Sequence, residues 1–344
     1  MSKPIPKDGI PRVSPEEKLR ELAAPYREAL GTDALERLGS RCDDLGLRFD
    51  SDELVILAAL DTPAKVQDFL NSRLYYNDDH ASVDQEETAM PPRLVLRTGM
   101  AHCFEGAMFA YAVNFLHGRE PRLVMLEASQ DADHNLVVCR DPGTGLFGAN
   151  AQSRYPGLVG RAAEYPTLRA LAESYVPFYY SDRTLDPKDL TLVGFSEPID
   201  LAAKYGTAWM GSEAPLWDIY HTYIDDAVPF HYFFDDPDRP HLYPAVRALK
   251  ENWVRLDAAG EPTVSLEDLP AGARREWDAF WQTFGPEDGP RPRGKAKEIE
   301  QAFFRLTGMT PIDLGDIAFD LQLFLDAGYR LDQLVKRRQE GVKP

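Results

Sequence analysis

Apolar residues recur every three or four positions in several early segments of the chain, and this spacing predicts helices. The first follows Ser14-Pro15-Glu16-Glu17, a typical helix start, because Ser14 can cap the first turn and Glu17 can complete a capping box. Helical patterns then occupy Thr32–Leu45 and a segment that begins at Thr62-Pro63. We expect a helical arm over residues 1–60, joined to a different kind of structure further along the chain.

The pattern changes in the centre of the chain. A mostly apolar segment over about residues 103–117 predicts a buried helix, and three short apolar runs after it predict strands at Arg122–Glu127, Asn135–Arg140 and Leu146–Ala151. A turn sequence at residues 141–145, Asp-Pro-Gly-Thr-Gly, separates the last two runs. A helix followed by antiparallel strands indicates an α+β fold, and we expect this core to span residues 61–204.

Helical patterns return after the strands. The pattern predicts one helix over residues 166–175, and it predicts a mainly helical third region over residues 205–344. The helices expected in this region are Leu242–Trp253, Glu267–Phe284, Lys295–Leu306, Leu314–Ala327 and Leu331–Arg338.

Composition narrows the possible partners. The net charge of −18 repels phosphate backbones and anionic membranes, so neither nucleic acid nor a membrane is an expected partner. No apolar run approaches the roughly 18 residues of a membrane span, and the first residues lack the apolar stretch of a signal peptide. Three cysteines form an odd set without a disulfide framework, which favours a reducing cytoplasm. The sequence does not indicate an oligomeric state.

One cysteine stands where nucleophilic chemistry is favoured. Cys103 follows an Arg97-x-Gly99 turn and begins the predicted buried helix. The free amides and positive dipole end of a helix N-terminus stabilise a thiolate. A base is also needed, and His134 is the best candidate because it opens a predicted strand 31 positions later.

These residues resemble the nucleophile segment of the transglutaminase-like superfamily. The matching features are Arg97-x-Gly99-x-x-x-Cys103, the apolar helix after it, and a strand histidine, all within about residues 60–180. In that superfamily an Asp or Asn on the next strand orients the histidine, usually a few residues after a Trp. Here Phe147-Gly148-Ala149-Asn150 occupies that place, with Phe for Trp and Asn for Asp.

The resemblance implies a papain-like α+β core and acyl transfer at an amide or peptide bond. Cys103 would be the nucleophile, His134 the base and Asn150 the orienting residue, with hydrolysis favoured over cross-linking. Asp141 and Ser153 remain alternatives to Asn150. The rival interpretation is a non-catalytic binding or scaffold protein that retains the fold, and the two departures from the pattern favour it.

Other residues have less specific interpretations. We expect His102 to point away from Cys103, because neighbouring helical side chains diverge by about 100°. Glu105 can stabilise the helix N-terminus or contact a substrate amine. The aromatic residues between Trp209 and Phe234 can form core or line a cleft. The histidines and aspartates over residues 231–241 lack a metal-site spacing, so no metal and no cofactor is expected.

Overall fold

The computed structural model describes residues 13–77, 88–128, 131–180, 190–222, 228–233, 248, 251–258, 262–285 and 292–317. These residues form a mixed helix-and-sheet structure in two compact units. The first unit takes in the described parts of 1–127, 133–179 and 194–231, and the second takes in those of 128–132, 180–193 and 232–344. The structure thus divides the chain at other places than the expected 1–60, 61–204 and 205–344.

Four helices open the first unit: α1 (Pro15–Arg27), α2 (Thr32–Asp44), α3 (Ser51–Ala59) and α4 (Pro63–Ser72). The capping box at Ser14 is confirmed, and the Thr62 hydroxyl caps α4 by accepting from the Lys65 amide at 3.2 Å. Gly31 is the N-cap of α2, so Thr32 is its first helical residue.

Helix α3 was not predicted, because its apolar residues surround the axis and leave no amphipathic stripe. It is nevertheless buried in the same apolar core as α1, α4 and the helix that begins at Cys103. Helices α1 to α3 therefore contribute to the apolar core of the first unit.

The segment before Cys103 is built from a helix and a short strand. Helix α5 (Pro92–Thr98) ends at Gly99, whose φ of 68° places it in the left-handed region that glycine favours. Strand β2 (Met100–Ala101) then pairs in parallel with β1 (Tyr75–Tyr76), and α6 (Cys103–Leu116) begins two residues later. The expected turn and buried helix are both confirmed.

A six-stranded sheet supports α6, with the spatial order β6-β5-β4-β3-β7-β8. Its strands are β3 (Arg122–Ala128), β4 (His134–Arg140), β5 (Phe147–Asn150), β6 (Arg161–Tyr165), β7 (Leu192–Ser196) and β8 (Phe230–Tyr232). Strands β3 to β6 pair antiparallel in succession, and α6 packs on the central strand β4. The three predicted strands are confirmed within two residues, which agrees with an α+β class.

Three short helices complete the first unit: α7 (Leu168–Glu173), α8 (Leu201–Tyr205) and α9 (Trp217–Tyr220). The helix expected at residues 166–175 is confirmed as α7. Among the described helices of the whole chain, none combines the length and apolar character that crossing a bilayer requires.

The second unit contains the antiparallel pair β9 (Val254–Leu256) and β10 (Pro262–Val264), and helices α10 (Ala273–Thr283) and α11 (Gly294–Thr307). Helix α10 begins later than expected because Pro270 and Gly272 interrupt the pattern. Helix α11 confirms the segment at Lys295–Leu306. The expected helices at Leu242–Trp253, Leu314–Ala327 and Leu331–Arg338 lie wholly or largely outside the described residues.

Candidate active site

The candidate nucleophile is the first residue of α6. Cys103 is partly exposed as a residue, whereas Cys42 and Cys139 are buried, and all three are free thiols. As the first helical residue, Cys103 carries a backbone N–H that has no acceptor within the helix. The site therefore joins a free thiol to the positive end of a 14-residue helix.

His134, the first residue of β4, lies beside Cys103. It is buried, pairs in register with Leu126 of β3, and its imidazole hydrogen-bonds to the Cys103 side chain. Its Nε2 lies 2.7 Å from the carbonyl oxygen of Leu158. Since a carbonyl can only accept, Nε2 carries a proton, and Nδ1 is the nitrogen left to exchange a proton with the thiol.

His102 also hydrogen-bonds to Cys103, which contradicts the expectation that its side chain points away. The 100° rule applies to helical residues, but His102 is the N-cap and has an extended backbone (φ −87°, ψ −173°). Its Nε2 lies 2.8 Å from the Thr88 carbonyl, and its Nδ1 accepts from the Phe104 amide at 3.2 Å. The ring therefore folds back over the first turn of α6.

The charge on His102 is set by competing effects. Burial lowers its pKa, but the hydrogen bond to Cys103 and the Glu105 carboxylate raise it to about 9. The neutral ring can accept from the Phe104 amide through Nδ1, whereas the protonated ring carries a donor on both nitrogens.

Glu105 is fully buried and serves the structure of the site rather than a substrate. Its carboxylate accepts from the Thr88 hydroxyl at 2.7 Å and from the amides of Met90 and His102 at 3.0 Å each. Of the two interpretations of Glu105, stabilisation of the helix N-terminus fits these contacts. A group with no exposed surface does not fit contact with a substrate amine.

The thiol of Cys103 is strongly acidic for a cysteine. Burial raises its pKa, but hydrogen bonds from His102 and His134 and the positive charge of both rings lower it well below the ordinary value. Burial is the largest influence on the other two cysteines and raises the pKa of Cys42 to about 11 and that of Cys139 to about 12. Only Cys103 has the environment of a reactive thiol.

The Leu158 carbonyl that binds His134 sits in a short loop held by Arg161. The Arg161 guanidinium donates to the carbonyls of Gly157 at 2.6 Å and Val159 at 2.8 Å, which lie on either side of Leu158. The central carbon of this guanidinium, Cζ, lies 4.0 Å from the ring centroid of Tyr175. The rings of Tyr175 and His134 in turn form a T-shaped pair. The acceptor for His134 is thereby fixed on both sides.

Asn150 does not reach His134. It pairs with Val137, three residues further along β4, a separation of about 10 Å along a strand. Its Oδ1 accepts from Asn114 Nδ2 at 3.0 Å, and its Nδ2 donates to the Pro63 carbonyl at 2.8 Å. The prediction that Asn150 orients the histidine is corrected: the Leu158 carbonyl occupies that place.

The two alternatives to Asn150 have other contacts. Asp141 is partly exposed and accepts from the Gly143 and Thr144 amides, which is the turn role its sequence indicates. Ser153 is buried, and its hydroxyl accepts from the Tyr155 amide at 3.0 Å. A backbone carbonyl such as that of Leu158 has no side-chain signature, so the sequence could not have identified it.

Asn135 lies beside the sulfur but was not singled out in the sequence. Its Nδ2 is 3.9 Å from Cys103 Sγ. The signal available in the sequence was its position directly after His134, on the strand that packs against α6.

The described residues of the remaining predicted clusters make packing and pairing contacts. Trp209 is buried against Tyr111, so it belongs to the core, and Tyr220 packs edge-on against Phe104. In the histidine and aspartate cluster at residues 231–241, the structure describes His231, which pairs with Glu197. The other histidine and the aspartates of this cluster lie outside the described residues. In the part of the chain that the structure describes, no group of three metal-ligating side chains occurs.

Comparison with models of known protein families finds no match to this chain, and comparison with curated proteins finds none either.

Proposed function

We propose that the protein is a cysteine-dependent acyl-transfer enzyme that acts on an amide or peptide bond and is related to transglutaminase-like enzymes with a papain-like core. The observation that carries the proposal is the thiol of the partly exposed residue Cys103, whose pKa two histidines lower at a helix N-terminus. A binding or scaffold protein does not require an acidic thiol.

The resting site is a thiolate paired with imidazolium groups. The Cys103 thiolate attacks the substrate carbonyl carbon, and the carbonyl π electrons move to oxygen to give a tetrahedral oxyanion. When the oxyanion collapses, the C–N bond breaks and the imidazolium of His134 gives its Nδ1 proton to the departing amine. The products of this half-reaction are an amine, a Cys103 thioester and a neutral His134.

Water completes the reaction. Neutral His134 accepts a proton from a water molecule through Nδ1 as that water attacks the thioester, and collapse of the second oxyanion releases the carboxylic acid and restores the thiolate and imidazolium. Throughout, the Leu158 carbonyl keeps Nε2 protonated and holds the ring angle. An amine in place of water would give transfer instead; we propose hydrolysis by analogy with hydrolases of the superfamily.

Reaction with an activated ester tests this proposal. The parent protein should form an acetyl adduct on Cys103 with p-nitrophenyl acetate and release a burst of p-nitrophenol, and a panel of amides and peptides should then identify turnover. Cys103→Ala should lose the adduct and any turnover, whereas the buried-thiol control Cys139→Ala should retain both. Equal acylation of parent and Cys103→Ala would overturn the proposal.

A further inference from the structure

The side chain of Asn135 is buried beside the candidate nucleophile, and only one of its two polar atoms has a hydrogen-bond partner among the described residues. Asn135 is the second residue of β4, the strand that packs against α6. It is 9 % exposed, and its Nδ2 lies 3.9 Å from Cys103 Sγ. Among the residues that the structure describes, its Oδ1 has no hydrogen-bond partner.

The orientation of this amide follows from the thiolate. A thiolate is an acceptor, so the NH₂ group and not the oxygen of Asn135 faces the sulfur. A buried amide that leaves its oxygen unpaired lowers stability, and such a group calls for an explanation other than packing. Its donor is aimed at the place where the chemistry of Cys103 would occur.

We infer that Asn135 is a catalytic residue that donates its Nδ2–H to the oxyanion formed when Cys103 attacks a carbonyl. This inference rests on the proposed acyl-transfer function and names a side-chain donor for it. The oxyanion develops on an oxygen separated from the sulfur by a single carbon, so a donor beside Sγ is within reach of it. The Cys103 backbone N–H, the first of α6, is the second donor.

Two reagents separate this role from an effect on the thiol itself. Iodoacetamide alkylates a thiolate by displacing iodide and forms no oxyanion, whereas p-nitrophenyl acetate acylates it through a tetrahedral oxyanion. We expect Asn135→Ala and the closer isostere Asn135→Leu to retain alkylation within about twofold when it is measured above the thiol pKa of each variant. Acylation should fall by about a hundredfold, the usual size of a lost oxyanion donor, which equals about 2.7 kcal/mol at 1.36 kcal/mol per tenfold.

The alkylation profile also reports that each variant is folded with an intact Cys103–His134 pair. Unchanged acylation in both variants would overturn the role of Asn135 and leave the proposed function standing. A parallel loss of alkylation and acylation in both would also overturn it, because Asn135 would then act on the thiolate. If the parent acylates no faster than Cys103→Ala, the proposed function fails, and the inference fails with it.

Discussion

His134 Nε2 lies 2.7 Å from the carbonyl oxygen of Leu158. This bond holds the imidazole in the tautomer whose Nδ1 can accept the thiol proton, as an Asn or Asp side chain does in papain-like cysteine proteases and serine proteases. A carbonyl brings no full negative charge, so the thiolate–imidazolium pair relies on the second histidine and the helix N-terminus. The position of one loop therefore determines how well the proposed base is oriented.

Arg161 should control that loop. Arg161→Ala removes the donors to the Gly157 and Val159 carbonyls, so the Leu158 carbonyl should no longer be fixed. We expect p-nitrophenyl acetate acylation to fall by about tenfold to a hundredfold, which is up to the lower limit of the roughly 10²–10⁴-fold that general acid–base catalysis contributes, because the base is misoriented but still present. The acid limb of its pH profile should also move to higher pH, because a poorly oriented imidazolium stabilises the thiolate less.

Arg140→Ala provides the matched control. Arg140 also donates its Nε–H to a backbone carbonyl, that of Gly145 at 2.7 Å, but in the turn between β4 and β5. The Arg140→Ala variant should be acylated by p-nitrophenyl acetate at the parent rate. If the two variants lose activity equally, or if Arg161→Ala keeps the parent pH profile, Arg161 has no positioning role.

Selective alkylation at mildly acidic pH should distinguish the three cysteines. A lowered pKa keeps Cys103 partly ionised at pH 6, whereas Cys42 and Cys139, with pKa values of about 11 and about 12, stay protonated there. Peptide mapping after brief iodoacetamide treatment should therefore find label on Cys103 alone. His134→Ala should raise the pKa of Cys103 and lower its rate at pH 6 by about tenfold or more, since one pKa unit is tenfold in thiolate.

Unfolding in denaturant before labelling gives the control, because all three cysteines should then react alike. Labelling of the folded parent that appears only above about pH 8.5, the range of an ordinary thiol, would contradict the assignment.

The parts of the fold that the sequence predicts are those encoded locally. Sequence signals within a few residues identify three of these features: the capping box at Ser14, the apolar helix after Cys103, and the strands on either side of the Asp141 turn. Helix α3 was missed because it is apolar all round, and β6 because it is short and largely exposed.

The candidate site divides in the same way. Cys103 and His134 carry chemical signals in residue type and position, and the structure brings them together. The register of β5 on β4 depends on long-range pairing, so the sequence did not reveal that Asn150 lies three residues from the level of His134. The Leu158 carbonyl and the folded-back ring of His102 depend on backbone conformation, which residue type does not specify.

Asn150 should matter for stability and not for the thiol. Asn150→Ala leaves the partly buried Pro63 carbonyl without this donor and removes one of the two acceptors of Asn114 Nδ2, so the free energy of unfolding should fall by about 1–3 kcal/mol. Asn150→Asp should also destabilise, because a carboxylate would face the Pro63 carbonyl oxygen. Denaturant unfolding measures both, and the alkylation pH profile of Cys103 should stay at the parent value.

If Asn150 oriented His134, Asn150→Ala would change the pKa of Cys103, and Asn150→Asp would not, since an Asp can orient a histidine as well as an Asn. A stable Asn150→Ala variant with a raised Cys103 pKa would therefore restore Asn150 to the catalytic site.

His102 should also make stability depend on pH. Its folded pKa of about 9 lies above the ordinary 6.5, so its contribution to the free energy of unfolding is fully present below about pH 6.5 and is lost as the pH rises through about 9. The difference in stability between the parent and His102→Asn should therefore shrink over this window in denaturant unfolding. A difference that is constant from pH 6 to pH 10 would contradict the raised pKa.

The division of labour between the two histidines can be tested with the same variant. Asn is a good N-cap, so His102→Asn can still accept from the Phe104 amide while it loses the positive charge beside Cys103. Both His102→Asn and His134→Ala should raise the pKa of Cys103, because each removes one hydrogen bond and one charge from the thiolate.

Acylation measured above the thiol pKa of each variant should then distinguish the two histidines. His102→Asn should stay within about tenfold of the parent, whereas His134→Ala should lose about 10²–10⁴-fold, because it lacks the Nδ1 that carries the proton. The opposite order would make His102 the base and His134 the supporting cation.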